Sequence, residues 1–531
     1  MSLSYFMERE RKFEIAFLIC IYLLGFIIRI YPKLLVSPHL PSFLGDVWYR
    51  ICMAQYILDH GSLPIPDIRY LAYGNVPLWY PPLSPIFLAF LSKITTLDLA
   101  TVCTRVIPFF EAFTPIPFYF LIKKWYNDQI ARISALILAL TPSFIYLTGI
   151  ADLQIFTLWI IPVALLLISE QYTLKKAIIL GVILGINFLF HLSYFVTLIT
   201  LLLYVVAEKI EKKPIKEKIK FFLISTGISL GITAWWWVPD NLFKWWIFHI
   251  STSTLLQDIT GHLEFYGAPF MILGFIGFVY FCTKKFNHKI FIIIWCFFLF
   301  YEVFSENILD ILNRADLMWL TVVRPLEGYR FYIFLAMPFS LVSALFLDNI
   351  RKDLDREVLG ILIISAMTII SLTGLSSYNI EWKLTNAGVN EREYDAALWF
   401  RENTDDSARI VADYYTAQMF SGVCGGKALL GGLFPLRDIN FNPYIKAPGQ
   451  VQNDIYDFYS TDDIDLTFEI AERYGITHVF ISTNMETSGW LGAYKAGGFG
   501  VPVNHRKFDN EEYFELVYRD DDINIYKILR S

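Results

Sequence analysis

Long apolar runs, separated by short charged loops, dominate roughly the first 375 residues of this 531-residue chain. A bilayer core of about 30 Å takes roughly 20 helical residues to cross. The runs near 13–31, 98–122, 129–149, 153–170, 175–190, 192–208, 219–237, 267–283, 289–304, 330–348 and 356–376 therefore predict eleven transmembrane helices. The run 83–94 is shorter and is opened by Pro81, Pro82 and Pro85, so it predicts a half-buried helix in an external loop. After the last run the periodicity changes. Helix-like Tyr394–Arg401 and Leu466–Tyr474 alternate with β-rich Arg409–Ala412, Thr477–Ser482 and Asn524–Leu529, punctuated by Gly422, Gly425, Gly426, Gly431 and Gly432. The fold class implied is a polytopic α-helical membrane protein, residues 1–378 with a large external loop 32–97, succeeded by a soluble α/β domain, 379–531.

Composition agrees with lipid as the solvent: 55% of residues are hydrophobic and 18% charged, with a mean hydropathy of +0.47. The net charge of -6 hides an asymmetry, because residues 380–531 hold 14 Lys or Arg against 24 Asp or Glu. An acidic domain argues against nucleic acid as a partner, since that partner rewards clustered cations. Of six cysteines only Cys424 falls in the tail, which excludes an internal disulfide or a cysteine metal site there. Lys and Arg collect at Arg9–Lys12, Lys123–Arg132, Lys175–Lys176, Lys209–Lys220, Lys284–Lys289 and Arg351–Arg356. These alternate correctly along eleven spans if the N-terminus is cytoplasmic, which places the tail and the loops 32–97, 238–266 and 305–329 outside.

Every candidate chemical group lies on that outer side. Asp46 comes shortly after the first span, one helical turn before Arg50; it is either half of a surface pair or helix cap, or a carboxylate held at the membrane face for a cation. Asp152 sits at an external helix junction, where it either caps the next span or joins Asp46 at similar depth. Two such carboxylates supply hard oxygen ligands for Mg²⁺ or Mn²⁺, and Glu264 offers a further ligand. The tryptophans Trp235–Trp237, Trp245 and Trp246 read first as an interfacial belt. Arg324 and Arg330 are arginines outside, against the charge trend; their partner is Glu327, a lipid headgroup, or a lipid phosphate gripped bidentately.

In order along the chain, Gly45-Asp46-Val47-Trp48-Tyr49-Arg50, Trp79-Tyr80-Pro81-Pro82-Leu83, the segment Pro142–Phe156 with Asp152 at its acidic position, and Trp399–Thr404 resemble the GT-C superfamily of membrane glycosyltransferases. They are most similar to the catalytic subunit of oligosaccharyltransferase, whose Trp-Trp-Asp-Tyr-Gly signature is represented here by Ala412-Asp413-Tyr414-Tyr415. The resemblance implies eleven to thirteen spans and transfer of a sugar or glycan from a polyprenyl phosphate or diphosphate donor to a protein or glycan acceptor, with the bilayer as the other partner. Asp46 and Asp152 would be catalytic, holding a divalent metal with Glu264 or acting as base; Arg330 and Arg324 would bind the donor phosphate, and Asp413 and Tyr414 the acceptor. The alternatives are a GT-C enzyme acting on lipid or surface polysaccharide, a flippase, and a non-catalytic scaffold. A flippase calls for charged groups or broken helices at mid-membrane, whereas the candidates here cluster at one face.

Overall fold

The structure, a computed structural model, describes residues 3–36, 40, 45–65, 68, 78, 80–148, 154–239, 266–304, 328–351, 389–429, 448–489 and 500–529. It divides into two compact units, Met1–Leu34 with Arg105–Ile380 and Leu35–Thr104 with Glu381–Ser531.

In the first unit, α1 (Leu3–Val36) leads to α5 (Ile107–Glu111), α6 (Pro115–Trp125), α7 (Asp128–Leu140), α8 (Pro142–Thr148), α9 (Ile155–Ser169), α10 (Leu174–Phe190), α11 (Tyr194–Ile210) and α12 (Lys216–Trp237). Then come α13 (Ala268–Thr283), α14 (Lys289–Val303), a 3₁₀ turn (Gly328–Phe331) and α15 (Tyr332–Arg351). Ten of the eleven predicted spans coincide with these helices; the eleventh, 356–376, lies outside the described residues. The third is divided at Thr141, because Pro142 cannot continue the backbone ladder of α7. Glu10–Ile30, Leu99–Trp125, Lys216–Trp237 and Tyr332–Arg351 are long and apolar enough to cross a bilayer by themselves. Phe13, Ile15, Ile19, Leu23 and Ile27 form an exposed apolar face on α1, as a lipid-facing helix requires.

Small residues let these helices approach closely. A Cβ on Gly277 of α13 would lie 2.7 Å from the backbone of Val342 and Ser343 in α15, so nothing larger than glycine fits that crossing. Ser225 of α12 donates its hydroxyl to Ala177 O of α10 at 3.0 Å. Helix α15 is buried from Tyr332 through Leu345, which explains why its sequence is apolar all round.

The second unit contains α2 (Gly45–His60), α3 (Leu83–Thr95), α4 (Leu99–Thr101) and the soluble domain. Helix α3 is the short run predicted not to cross, and it leaves Ile86, Phe90 and Ile94 exposed along one face while Leu88, Ala89 and Leu91 pack inward. The soluble domain opens with α16 (Glu391–Asn403) and has a five-stranded sheet in the order β2 (Ala428–Leu429), β1 (Ile410–Val411), β3 (His478–Ser482), β5 (Ile523–Ile528), β4 (Phe514–Asp520). The first three are parallel, and β3, β5 and β4 pair antiparallel, with Phe480 opposite Ile525. Helices α17 (Tyr414–Cys424), α18 (Pro448–Ser460) and α19 (Ile464–Tyr474) complete the main elements. The core lies between sheet and helices, where the buried Tyr459 hydroxyl donates to Val411 O and Phe480 O, each at 2.9 Å.

Candidate functional site

Of the carboxylates singled out in the sequence, Asp46 is the second residue of α2 in the second unit. The burial of Val47, Trp48, Tyr49, Arg50, Ile51 and Cys52, the next six residues, fixes this helix in place. Arg50 Nη2 donates to Tyr80 Oη at 2.6 Å, its guanidinium lies 5.3 Å from the Tyr80 ring centre, and Tyr49 meets the same ring edge-on at 5.1 Å. Tyr49 and Tyr80, one from each of two sequence segments that carry the resemblance, thus share one small core with Met53 and Leu78. Asp152, Glu264 and Arg324 lie outside the described residues. Arg330 belongs to the first unit, buried on the 3₁₀ turn that leads into α15.

Asp413 is buried and caps α17: its Oδ2 accepts from Tyr415 N at 3.0 Å, as aspartate commonly does at a helix start. Tyr414 is the first residue of that helix, its ring 5.2 Å from that of Tyr415. Helix α17 in turn packs on α2 through Gly422, where a Cβ would come within 2.7 Å of Trp48 Cε3. The Asp-Tyr-Tyr segment thereby sets the helix against which the Asp46-bearing helix rests.

Sequence reading missed two groups. Glu393 is buried in a capping box, accepting from Asn390 N at 2.9 Å and from Ser482 Oγ at 2.6 Å. Burial, reinforced by the charge of Asp413, pushes its carboxyl up to about 7 against the hydrogen bonds that favour the ionised form. The signal was available as Asn390-x-x-Glu393, the spacing of a capping box. The second is a buried polar network where α9, α10 and α11 meet. Thr157 Oγ1 donates to Asn187 Oδ1 at 2.7 Å and lies 2.6 Å from Ser193 Oγ, Asn187 Nδ2 donates to Thr197 Oγ1 at 3.1 Å, and His191 Nδ1 lies 2.8 Å from Ser193 Oγ. Asn187 within an apolar run was the available cue.

Among the described residues no group of three or more His, Cys, Asp and Glu is placed to hold a metal ion. The three side chains expected from the sequence to hold one, Asp46, Asp152 and Glu264, are all carboxylates, a chemistry that suits Mg²⁺ or Mn²⁺.

Residues 80–237 match the family described as dolichyl-phosphate-mannose-protein mannosyltransferase. The fold is similar to that of the archaeal oligosaccharyltransferase AglB from Archaeoglobus fulgidus, solved with an inhibitory peptide and a dolichol-phosphate (TM-score 0.61, 13% identity, covering 90% of this chain and 70% of that one). It is also similar to ArnT from Cupriavidus metallidurans bound to undecaprenyl phosphate (TM-score 0.57, 10% identity, covering 97% of this chain and 98% of that one). The chain has the GT-C fold of membrane glycosyltransferases. A further structure of the Archaeoglobus protein, in complex with Zn and sulfate, matches with a TM-score of 0.56 at 16% identity, covering 96% of this chain and 73% of that one. No curated protein matches this chain in sequence. Its membrane helices and its soluble sheet domain are both part of the likeness, so the multi-pass membrane architecture expected from the apolar runs holds.

Proposed function

We propose that this protein transfers a sugar or glycan from a polyprenyl phosphate or diphosphate to an acceptor on the extracytoplasmic face of the membrane. The observation that carries the reading is the family match over 80–237, which spans the helices from the end of the first external loop through α12. It is supported by the polyprenyl phosphates bound to two proteins of the same fold. The soluble domain, 379–531, faces outward with the N-terminus cytoplasmic, on the strength of the positive clusters in the alternate loops.

In this reading Asp46 and Asp152 are the acidic residues at the reacting centre. One of them takes the proton from the acceptor's nucleophilic atom as that atom bonds to the sugar C1. The C1–O bond breaks with its electron pair leaving on the polyprenyl phosphate oxygen. Arg330 and Arg324 neutralise the phosphate as charge develops on it. A divalent Mn²⁺ or Mg²⁺ held by Asp46, Asp152 and Glu264 would supply Lewis-acid polarisation there. Asp413 and Tyr414 shape the acceptor side.

A protein acceptor, as in oligosaccharyltransferase, is the first form of the proposal. A lipid or surface polysaccharide acceptor is the second, favoured by the reduced Ala412-Asp413-Tyr414-Tyr415 signature and by the end-to-end likeness to ArnT. Incubating the purified protein in lipid nanodiscs with radiolabelled polyprenyl-phosphate sugars, Mn²⁺ and either an Asn-Val-Thr peptide or a membrane lipid extract tests both. Label in the peptide supports the first form and label in the lipid the second. Label in neither, with or without movement of the donor across a bilayer, contradicts the transferase.

A further inference from the structure

A cavity of about 540 Å³ opens within the second unit, away from Asp46, between the C-terminal end of α2 and the segments around Arg401, Arg409 and Lys427. We infer that it is a binding site for an anionic sugar residue, a uronic acid or a sugar phosphate.

The first observation is charge. The soluble domain is strongly acidic, yet three cations, Arg401, Arg409 and Lys427, converge on this cavity against two carboxylates, Asp59 and Asp406. A local positive excess in a concave polar wall attracts an anion that the rest of the domain repels. The cations are held in place rather than waving in solvent. Lys427 Nζ donates to Asp405 O at 2.8 Å, and Arg409 Nη1 donates to Tyr474 O at 3.0 Å.

The second observation is a donor and an acceptor preset side by side. Arg401 Nη2 lies 3.0 Å from Asp59 Oδ1, and both side chains keep 37% of their surface open. The remaining guanidinium donors and carboxylate lone pairs suit the adjacent hydroxyls of a sugar, and the fork suits a carboxylate or phosphate oxygen pair. The third is an aromatic wall. Tyr56 and His60 stack with ring centres 4.1 Å apart and 17° between planes, and both line the cavity. Such a pair presents an apolar flank to the C–H face of a pyranose beside the charged groups. A simple anion site has no use for that flank.

Binding here does not require transfer, so it is measured separately from the proposed reaction. Titrating the full-length protein in nanodiscs with glucuronic acid, glucose 6-phosphate, glucose and inorganic phosphate, monitored by ligand-observed NMR or calorimetry, distinguishes the sources of the anion. The acidic sugars bind more tightly than glucose and than phosphate. R401Q and K427Q each weaken them by about tenfold or more, the scale of a lost charge-assisted hydrogen bond. D406N, at a side chain 97% exposed and 3.5 Å from Lys427 Nζ, leaves the fold intact and tightens acidic-sugar binding severalfold by removing a negative charge that competes for that ammonium. The inference is overturned if the wild-type protein binds no acidic sugar, if glucose or phosphate binds as well as the acidic sugars, or if D406N weakens binding.

Discussion

The six-membered ring of Trp48 closes over the α-carbon of Gly422, so that a methyl group there would sit 2.7 Å from Cε3 and 3.4 Å from Ile51 Cγ2. Two residues after Asp46, helix α2 is thus keyed into a helix of the soluble domain more than 370 positions later in sequence.

That fit predicts that Gly422→Ala overpacks the α2–α17 contact at a cost of about 1–3 kcal/mol. Thermal unfolding monitored by tryptophan fluorescence should show a lower midpoint, and the double variant with Trp48→Leu should recover part of it. An unchanged midpoint in Gly422→Ala would show that the two helices do not meet this closely.

Glu393 predicts a pH dependence with a definite sign. Its carboxyl is raised from 4.5 to about 7, so between those values the folded domain holds a proton that the unfolded chain has released. Stability is then fully present below about 4.5 and falls as pH rises through 7, by up to about 3 kcal/mol. In Glu393→Gln, which removes the titrating group and keeps one of the two acceptor oxygens that Asn390 N and Ser482 Oγ use, the unfolding midpoint should vary less between pH 5 and pH 7.5. Parallel profiles for the two proteins would assign the titration elsewhere.

Much of this architecture was legible along the chain because lipid imposes a simple length rule, and the helices over 174–190, 194–210 and 289–303 begin and end close to the apolar runs that announce them. The soluble domain was half legible. The strands His478–Ser482 and Ile523–Ile528 are β-rich runs, whereas Ala428–Leu429 is too short to show alternation and Phe514–Asp520 is a partly exposed edge strand carrying Glu515, Arg519 and Asp520. Chain periodicity is silent on pairings such as Arg401 with Asp59, 342 positions apart, which join the first loop to the domain. The site was legible only as residue types. Asp413 showed in the sequence as an acidic residue beside tyrosines, and its cap on α17 emerged only once Tyr415 N was placed.

Orientation is open to direct measurement. Single cysteines at Lys175 and Glu402, both exposed, should react with a membrane-impermeant maleimide from opposite sides: Lys175→Cys only after the cytoplasmic face is opened, Glu402→Cys in intact cells. Labelling of both from one side contradicts the loop-charge argument, and with it an outward-facing tail.

Whether Asp46 and Asp152 act at one reacting centre, as proposed, is measured by the rate of sugar transfer from a radiolabelled polyprenyl phosphate. Asp46→Asn and Asp152→Asn should each lower the turnover of correctly folded protein by about 10²-fold or more, the scale of a lost general base, and the double variant should be little worse than either. Wild-type turnover in either single variant, or losses that simply multiply in the double variant, would mean that the two aspartates do not serve the same chemical step.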